Sequence, residues 1–319
     1  MEYRNLGNSD LSVSEIGVGG NNFGRACDIE KTKEILNAAL SLGINTIDTA
    51  DIYGGGGLSE EYVGNAIKDQ RDKWVLMTKF GAPNIPGNDP HSNLKPSATK
   101  EYINYAVEAS LKRLQTTYID VYQVHFPHEE VATEETMAAL NELIKSGKVR
   151  YIGCSNYKVW HMVQSQHAAI NKGFAKFISS QPPYSLIDRR VEKEHLPACK
   201  EYGVGIIPYS PLASGFLTGK YKKGQPAPKG SRFETSSTTG YATRFINEKN
   251  YEILDKLIDF AENKKVKLSH LALKWLLENS QVSTVIAGVT SVDQLKDNVL
   301  ATSVSLSNEE LETLDNITK

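Results

Sequence analysis

The segment GINTIDTADIYGGGG, residues 43–57, sets an apolar run containing Ile44 and Ile47 directly before two aspartates, a tyrosine and four glycines. The run predicts a short strand and the glycines a turn behind it. Three readings of that turn compete: a phosphate-cradling loop, a plain surface turn, or a loop that presents an acid. A phosphate loop would end in Gly-Lys-Ser/Thr, and this one does not. The other two are separated by the sheet to which the strand belongs.

Similar runs recur along the chain: IGVG from 16, INTI from 44, WVLMTK from 74, YIDVYQVH from 118, VRYIGCS from 149, FAKFISS from 174, VGIIPYS from 204 and STVIAG from 283. Most lie roughly thirty residues apart, the length of one βα unit. Helical patterns fill the intervals. KTKEILNAALSLG carries Ile35, Leu36, Ala39 and Leu40 on one face and stops at Gly43, while TEETMAALNELIKSG opens at Thr133 with acids in its first turn and closes at Gly147. Strand and helix alternate throughout, which predicts parallel pairing. Eight units in 319 residues fit a closed (β/α)8 barrel of the TIM type, one domain over 1–319, better than an open doubly wound sheet. The front, EYRNLGNSDLSVS, reads as an N-terminal β-hairpin around Gly7-Asn8 that plugs the barrel, and extra C-terminal helices include one opened by a Ser307 and Glu310 capping box. Two long intervals, 81–99 and 221–246, read as loops over the C-terminal rim.

Composition narrows the partners. A net charge of −2 with Lys and Arg spread along the chain offers no stripe for nucleic acid, and no apolar run reaches the ~18 residues of a membrane span. Three separated cysteines, Cys27, Cys154 and Cys199, predict reduced, partly buried thiols rather than disulfides or a metal site. The expectation is a cytoplasmic protein, monomer or weak homo-oligomer, with a small-molecule partner.

Barrel enzymes place chemistry at the C-terminal ends of strands. In this chain those ends are Asp48, with Tyr53 beyond it, then Lys79, His125, Ser155-Asn156, Gln181, Tyr209-Ser210 and Gly288. Each has an ordinary structural explanation: Asp48 a turn former, Lys79 a side chain reaching solvent, His125 a satisfied core histidine, Tyr53 a packing ring. Together they make a chemical set. A phenol with pKa near 10 donates a proton poorly unless a cation stabilises its phenolate. Lys79 supplies that cation, Asp48 makes its burial tolerable, and His125 donates to a carbonyl oxygen held beside Tyr53. Such a set suits protonation of an oxygen while hydride reaches its carbon, which is carbonyl reduction. Ser155, Asn156 and Gln181 suit a carboxamide, and Tyr209 offers a face for a nicotinamide ring.

These motifs resemble the aldo-keto reductases over essentially the whole chain: GINTIDTADIYG, LMTKFG, DVYQVHFP, IGCSNY, QPPYS, PYSPLASGFLTGKY and VIAGVTSVDQLKDN. The resemblance implies a metal-free, NADPH-dependent reductase of small carbonyl compounds, NADH being the lesser alternative. Its tetrad here is Asp48, Tyr53, Lys79 and His125. It also implies cofactor contacts at Ser155, Asn156, Gln181, Tyr209, along Ser210, Pro211, Leu212, Ser214 and Gly215 for the pyrophosphate, and at Lys220 and Arg232 near the phosphates. Gly288, Thr290, Gln294 and Asn298 fall to the adenosine end, although Ser291 and Gln294 alone have capping-box spacing. This chain departs from the family pattern in Ala287, where many relatives have Pro, and in Gly20 and Asn21, at positions that face the nicotinamide ribose. The family includes potassium-channel β subunits, which usually carry Asn at the place of His125, so a cofactor-binding regulatory subunit is the competing function. A metal-dependent isomerase would need more carboxylate and His ligands than His125 and His128. Phe80, Phe126, His128 and Tyr184 are the expected lining of the substrate mouth, whose walls would suit aldehydes, dicarbonyls, sugars or pyridoxal.

Overall fold

The computed structural model describes residues 1–83, 94–235 and 244–319. A hairpin of β1 (Tyr3–Asn5) and β2 (Ser12–Ser14) comes first, paired antiparallel with Tyr3 opposite Ser14. Eight parallel strands follow: β3 (Ile16–Gly19), β4 (Thr46–Asp48), β5 (Val75–Phe80), β6 (Ile119–Val124), β7 (Val149–Ser155), β8 (Phe177–Gln181), β9 (Gly205–Ile206) and β10 (Val285–Gly288). Their order is β10-β3-β4-β5-β6-β7-β8-β9. The ring closes between the two outermost strands: Ser283 N–H donates to Ile206 O at 2.9 Å, and Ile206 N–H to Gln281 O at 2.8 Å. Closure removes both free edges, which rules out the open sheet.

β5 and β6 are buried at every residue, as expected of parallel strands with side chains on one face and helices on the other. Period-2 alternation divides their residues between two cores. Val75, Met77 and Val121 turn inward and join Leu6, Leu11, Val13, Ile207 and Ile286 in a small cluster inside the barrel. Leu76, Phe80, Tyr122 and Val124 turn outward into the larger core beneath the helices. Leu6 and Leu11 come from the hairpin, so the predicted plug is present. Gly7 makes it fit: at φ 55° it lies so close to the barrel floor that a Cβ would stand 2.3 Å from Ile178 O.

The helix Ile29–Ser41 is capped by the Asp28 carboxylate on Lys31 N–H and ends at Gly43, φ 79°. The helix Thr133–Lys145 ends at Gly147, φ 75°. The Ser307–Glu310 capping box opens the helix Asn308–Thr318. Of the two long loop intervals, 84–93 and 236–243 lie outside the described residues; within the second, Arg232–Thr235 forms one helical turn. No helix among the described residues is long and apolar enough to cross a membrane.

Candidate active site

The loop after β4 continues that strand's pairing with β5. Thr49 N–H donates to Met77 O at 2.9 Å and Asp51 N–H to Lys79 O at 3.1 Å, and Tyr53 follows one turn later. The next four residues, Gly54 to Gly57, all have positive φ. At Gly54 a Cβ would lie 2.9 Å from Ser59 N and 3.0 Å from Phe23 O, so a side chain there would displace the loop that presents Tyr53.

Inside the rim, Lys79 is wholly buried and its Nζ donates to Asp48 Oδ2 at 2.5 Å and to Thr49 O at 2.9 Å. Two further donors satisfy the other carboxylate oxygen: Gln181 Nε2 at 2.9 Å and Gln123 Nε2 at 3.1 Å, both on Asp48 Oδ1. A buried ion pair survives when its remaining lone pairs are filled in this way. Gln123 is a residue that the sequence reading passed over. Its signal was nonetheless present, because alternation through Val121, Gln123 and His125 turns all three into the barrel.

The Lys79 ammonium stands 5.1 Å from the centre of the Tyr53 ring, and the His125 ring meets Tyr53 edge-on at 5.9 Å. Burial pulls the Lys79 pKa down, but the Asp48 carboxylate and the Tyr53 phenol beside it together more than compensate, and the ammonium is held above its ordinary value. His125 goes the other way: burial, reinforced by the Lys79 charge, drives it well below 6.5, so the imidazole is neutral at pH 7. Its Nδ1 is buried without a hydrogen-bond partner. Tyr53 requires an adjustment to the sequence reading. Burial raises its phenol and Lys79 lowers it, with the net above 10, so the cation offsets burial only in part and the group is a fully protonated donor at neutral pH.

The expected carboxamide residues belong to the same network. Ser155 Oγ–H donates to Gln181 O at 2.9 Å, Asn156 Nδ2 to His125 O at 3.0 Å, and the Tyr209 hydroxyl to Asn156 Oδ1 at 2.8 Å. Asn156 itself is left-handed at φ 59°, the conformation that turns its amide back over His125. Gln181 shares its amide group with Asp48, a contact the sequence did not indicate.

From Ser210 the backbone turns left-handed repeatedly, at Ser210, Ala213, Ser214 and Gly215, with Pro211 and Leu212 between them. Within this turn Ala213 N–H donates to Ser210 O and Gly215 N–H to Leu212 O, both at 2.8 Å, which fixes the conformation of the loop. A Cβ on Gly215 would lie 3.2 Å from Lys220 Nζ, so this lysine lies against the turn. Arg232 is exposed on its helical turn, whose neighbour Phe233 stacks on Tyr221 at 4.1 Å, the residue after Lys220. At the end of β3, Gly20 packs where a Cβ would be 3.2 Å from Asp48 O, and Asn22 Nδ2 donates to Val289 O at 3.1 Å, tying this strand to the segment after Gly288. There Gln294 Oε1 accepts from Thr290 N–H (2.8 Å), Ser291 Oγ accepts from Gln294 N–H (3.2 Å), and Asn298 is buried one helical turn further on. The side chain of Gln294 therefore closes on Thr290, one residue away from a Ser291 capping box.

Two buried polar atoms along this track have no partner: Asn21 Oδ1 and Ser214 Oγ. Sealed polar groups left unpaired are costly, so the track fits a ligand rich in hydroxyls and phosphate oxygens. A nicotinamide dinucleotide has that character.

Two expected mouth residues are not available. Phe80 is wholly buried against Tyr122, ring centres 4.7 Å apart, because alternation turns it outward when Lys79 turns inward. Tyr184 is 3% exposed, bonded to Glu192 and packed on Trp275. Phe126 stays half-exposed and stacks on His125, while His128 is engaged with Gly81 O and Glu130. Among the described residues no three His, Cys, Asp or Glu side chains converge as a metal-ligand set.

A family model described as "Aldo/keto reductase family" matches residues 15–319. The chain is 36% identical over 324 residues to "Uncharacterized oxidoreductase YrpG" of Bacillus subtilis (strain 168), covering 99% of this chain and 96% of that one. It is 34% identical over 309 residues to "Probable voltage-gated potassium channel subunit beta" of Oryza sativa subsp. japonica (95% and 92% covered). Identity to "L-glyceraldehyde 3-phosphate reductase" of Escherichia coli O157:H7 is 32% over 323 residues (99% and 92% covered).

Proposed function

The chain belongs to the aldo/keto reductase family and is an oxidoreductase, and from that premise we propose that it reduces aldehydes or ketones to alcohols with NADPH, Tyr53 acting as general acid. The observation that carries this reading is the buried Lys79–Asp48 pair placed beside a protonated Tyr53 and a neutral His125. NADPH, when bound, would supply the hydride. Ser155, Asn156, Gln181 and Tyr209 would hold its nicotinamide end, Ser210 to Gly215 with Lys220 its phosphates, and Thr290, Gln294 and Asn298 its adenosine end; Gly20, Asn21, Gly288 and Arg232 would border that track.

The neutral His125 ring donates one N–H to the substrate oxygen and turns it toward the Tyr53 hydroxyl. As charge gathers on that oxygen, Tyr53 gives up its proton, and the Lys79 ammonium stabilises the phenolate left behind. Asp48 keeps Lys79 charged and in place, and the two glutamines keep Asp48 in place. A positioned general acid contributes about 10²–10⁴ in rate. The predicted result for Tyr53→Phe is loss of carbonyl-dependent NADPH oxidation by at least that factor, with nucleotide affinity retained. Titration by intrinsic fluorescence with NADPH and NADH, followed by turnover on an aldehyde panel, reads both; an unchanged rate in Tyr53→Phe would remove it from this role. The three buried free cysteines accord with a reducing compartment, and we take the protein to act in the cytoplasm.

The resemblance to proteins named as potassium-channel β subunits favours a second reading, an NADPH-binding regulatory subunit with little turnover. Tight nucleotide binding without turnover of any carbonyl in the panel would place that reading first.

A further inference from the structure

Behind the Tyr53 loop lies a second polar cluster that the reaction as described leaves unused. Glu60, with no exposed surface, accepts the Thr78 hydroxyl on Oε1 at 2.5 Å and Arg113 Nε on Oε2 at 2.7 Å. Arg113, at the end of the helix Lys100–Arg113, lies against the last glycine of the run. A Cβ on Gly57 would stand 2.4 Å from its Nε and 2.9 Å from its Cζ. Asp51 is two residues before Tyr53, and its Oδ1 is sealed from solvent without a hydrogen-bond partner. A cavity of about 20 Å³ is lined by Asp51, Ile52, Tyr102, Tyr105 and Arg113.

We propose that Arg113, locked by Glu60 against Gly57, is a positioning residue for Tyr53, and that Asp51 makes this placement dependent on protonation. The proposal rests on the reductase reading above. Four consecutive glycines form the least constrained backbone a chain can have, so a loop that must hold a proton donor in place needs an external restraint. Steric contact supplies it at both ends: Ser59 N and Phe23 O crowd Gly54, and the guanidinium crowds Gly57. The restraint is anchored to the site itself, because Thr78, which holds Glu60, is the residue before Lys79 on β5.

Asp51 shares this cluster electrostatically. Burial and the Glu60 charge push its carboxyl up to about 7, while Arg113, the Gly81 N–H and Lys79 pull the other way. Tyr122 and Tyr53 feel its charge as well. Below that pH Asp51 is neutral and adds no charge beside the Arg113–Glu60 pair. Above it a second carboxylate competes for Arg113 and opposes phenolate formation at Tyr53, so kcat for reduction falls as pH rises through about 7.

The test compares Arg113→Met, Asp51→Asn and the wild-type protein by nucleotide affinity, steady-state kinetics from pH 5.5 to 8.5, and hydrogen exchange of the amides of residues 54–57. In Arg113→Met, kcat is expected to drop about tenfold, nucleotide affinity to stay within about twofold, and the glycine amides to exchange faster. Asp51→Asn is expected to erase the inflection near 7. Unchanged kcat and exchange in Arg113→Met, or an inflection that persists in Asp51→Asn, would overturn the proposal. If Arg113→Met does not fold, Arg113→Lys, which keeps a cation for Glu60 but loses the guanidinium against Gly57, must show the same kcat-against-affinity split. If the wild-type protein reduces no carbonyl, the reductase reading fails while hydrogen exchange still decides the restraint.

Discussion

Replacing Lys79 by Met removes one charge of a pair in which Lys79 is 0% and Asp48 3% exposed. Two acceptors lose their donor, Asp48 Oδ2 and Thr49 O. Breaking a buried pair from one side costs about 3–5 kcal/mol, because the surviving charge stays in a poorly solvated site. Asp48 retains two amide donors on Oδ1, which places the expected loss at the lower end, about 3 kcal/mol. A chain of 319 residues unfolds with an entropy of about 0.7 kcal/mol/K, so that loss lowers Tm by about 4–5 °C. Adding Asp48→Asn removes the stranded charge, and the double variant is expected to be about 1–2 kcal/mol more stable than Lys79→Met alone. Activity behaves differently. Both variants lack the cation that stabilises the phenolate, so the double variant recovers stability and no turnover. Urea unfolding followed by circular dichroism gives the first quantity, and single-turnover reduction at saturating nucleotide gives the second. A Lys79→Met protein within about 0.5 kcal/mol of wild type, or a double variant less stable than the single, would refute the ion pair as the element that holds the site together.

Acid sensitivity follows from the histidines. Burial depresses His125, His161 and His195 below 6.5 in the folded protein, so the unfolded chain binds more protons. Their contribution is fully present above about 6.5 and is lost as pH falls below it. The urea midpoint is expected to drop between pH 7.5 and 5.5, and to drop less in His125→Gln; equal drops in the two proteins would contradict a buried neutral imidazole. The hairpin plug is tested by Gly7→Ala, whose Cβ meets the backbone atoms Ile178 O, Gly203 O and Gly205 N at 2.3–2.7 Å. A loss of about 1–3 kcal/mol in thermal unfolding is expected, with nucleotide affinity unchanged because the plug lies at the opposite end from the site; wild-type Tm would show that the hairpin is not packed there.

The order of strands and helices was legible because both periods are local. Runs such as VLMTK and DVYQVH announce strands within a few residues, and Gly43 and Gly147 end helices by a conformation that depends on their own φ. The same periodicity, carried one residue further, would have found Gln123 inside the barrel and Phe80 outside it. Asp48, Tyr53, Lys79 and His125 could be named from sequence because a parallel barrel brings all strand ends to one rim, whatever the details of packing.

Other features depend on residues far apart in the chain, whose meeting is fixed by register and closure. β9 is only two residues long, and its hydrogen bonds to Gln281 and Ser283, not any sequence pattern in Gly205–Ile206, close the ring. Gln181 reaches Asp48 across 133 positions and Arg113 reaches Glu60 across 53, which no local period encodes. The direction of each pKa likewise had to await the fold. Charge type was written in the sequence, but the balance at Tyr53 between burial and the Lys79 ammonium is set by how much water the closed barrel excludes.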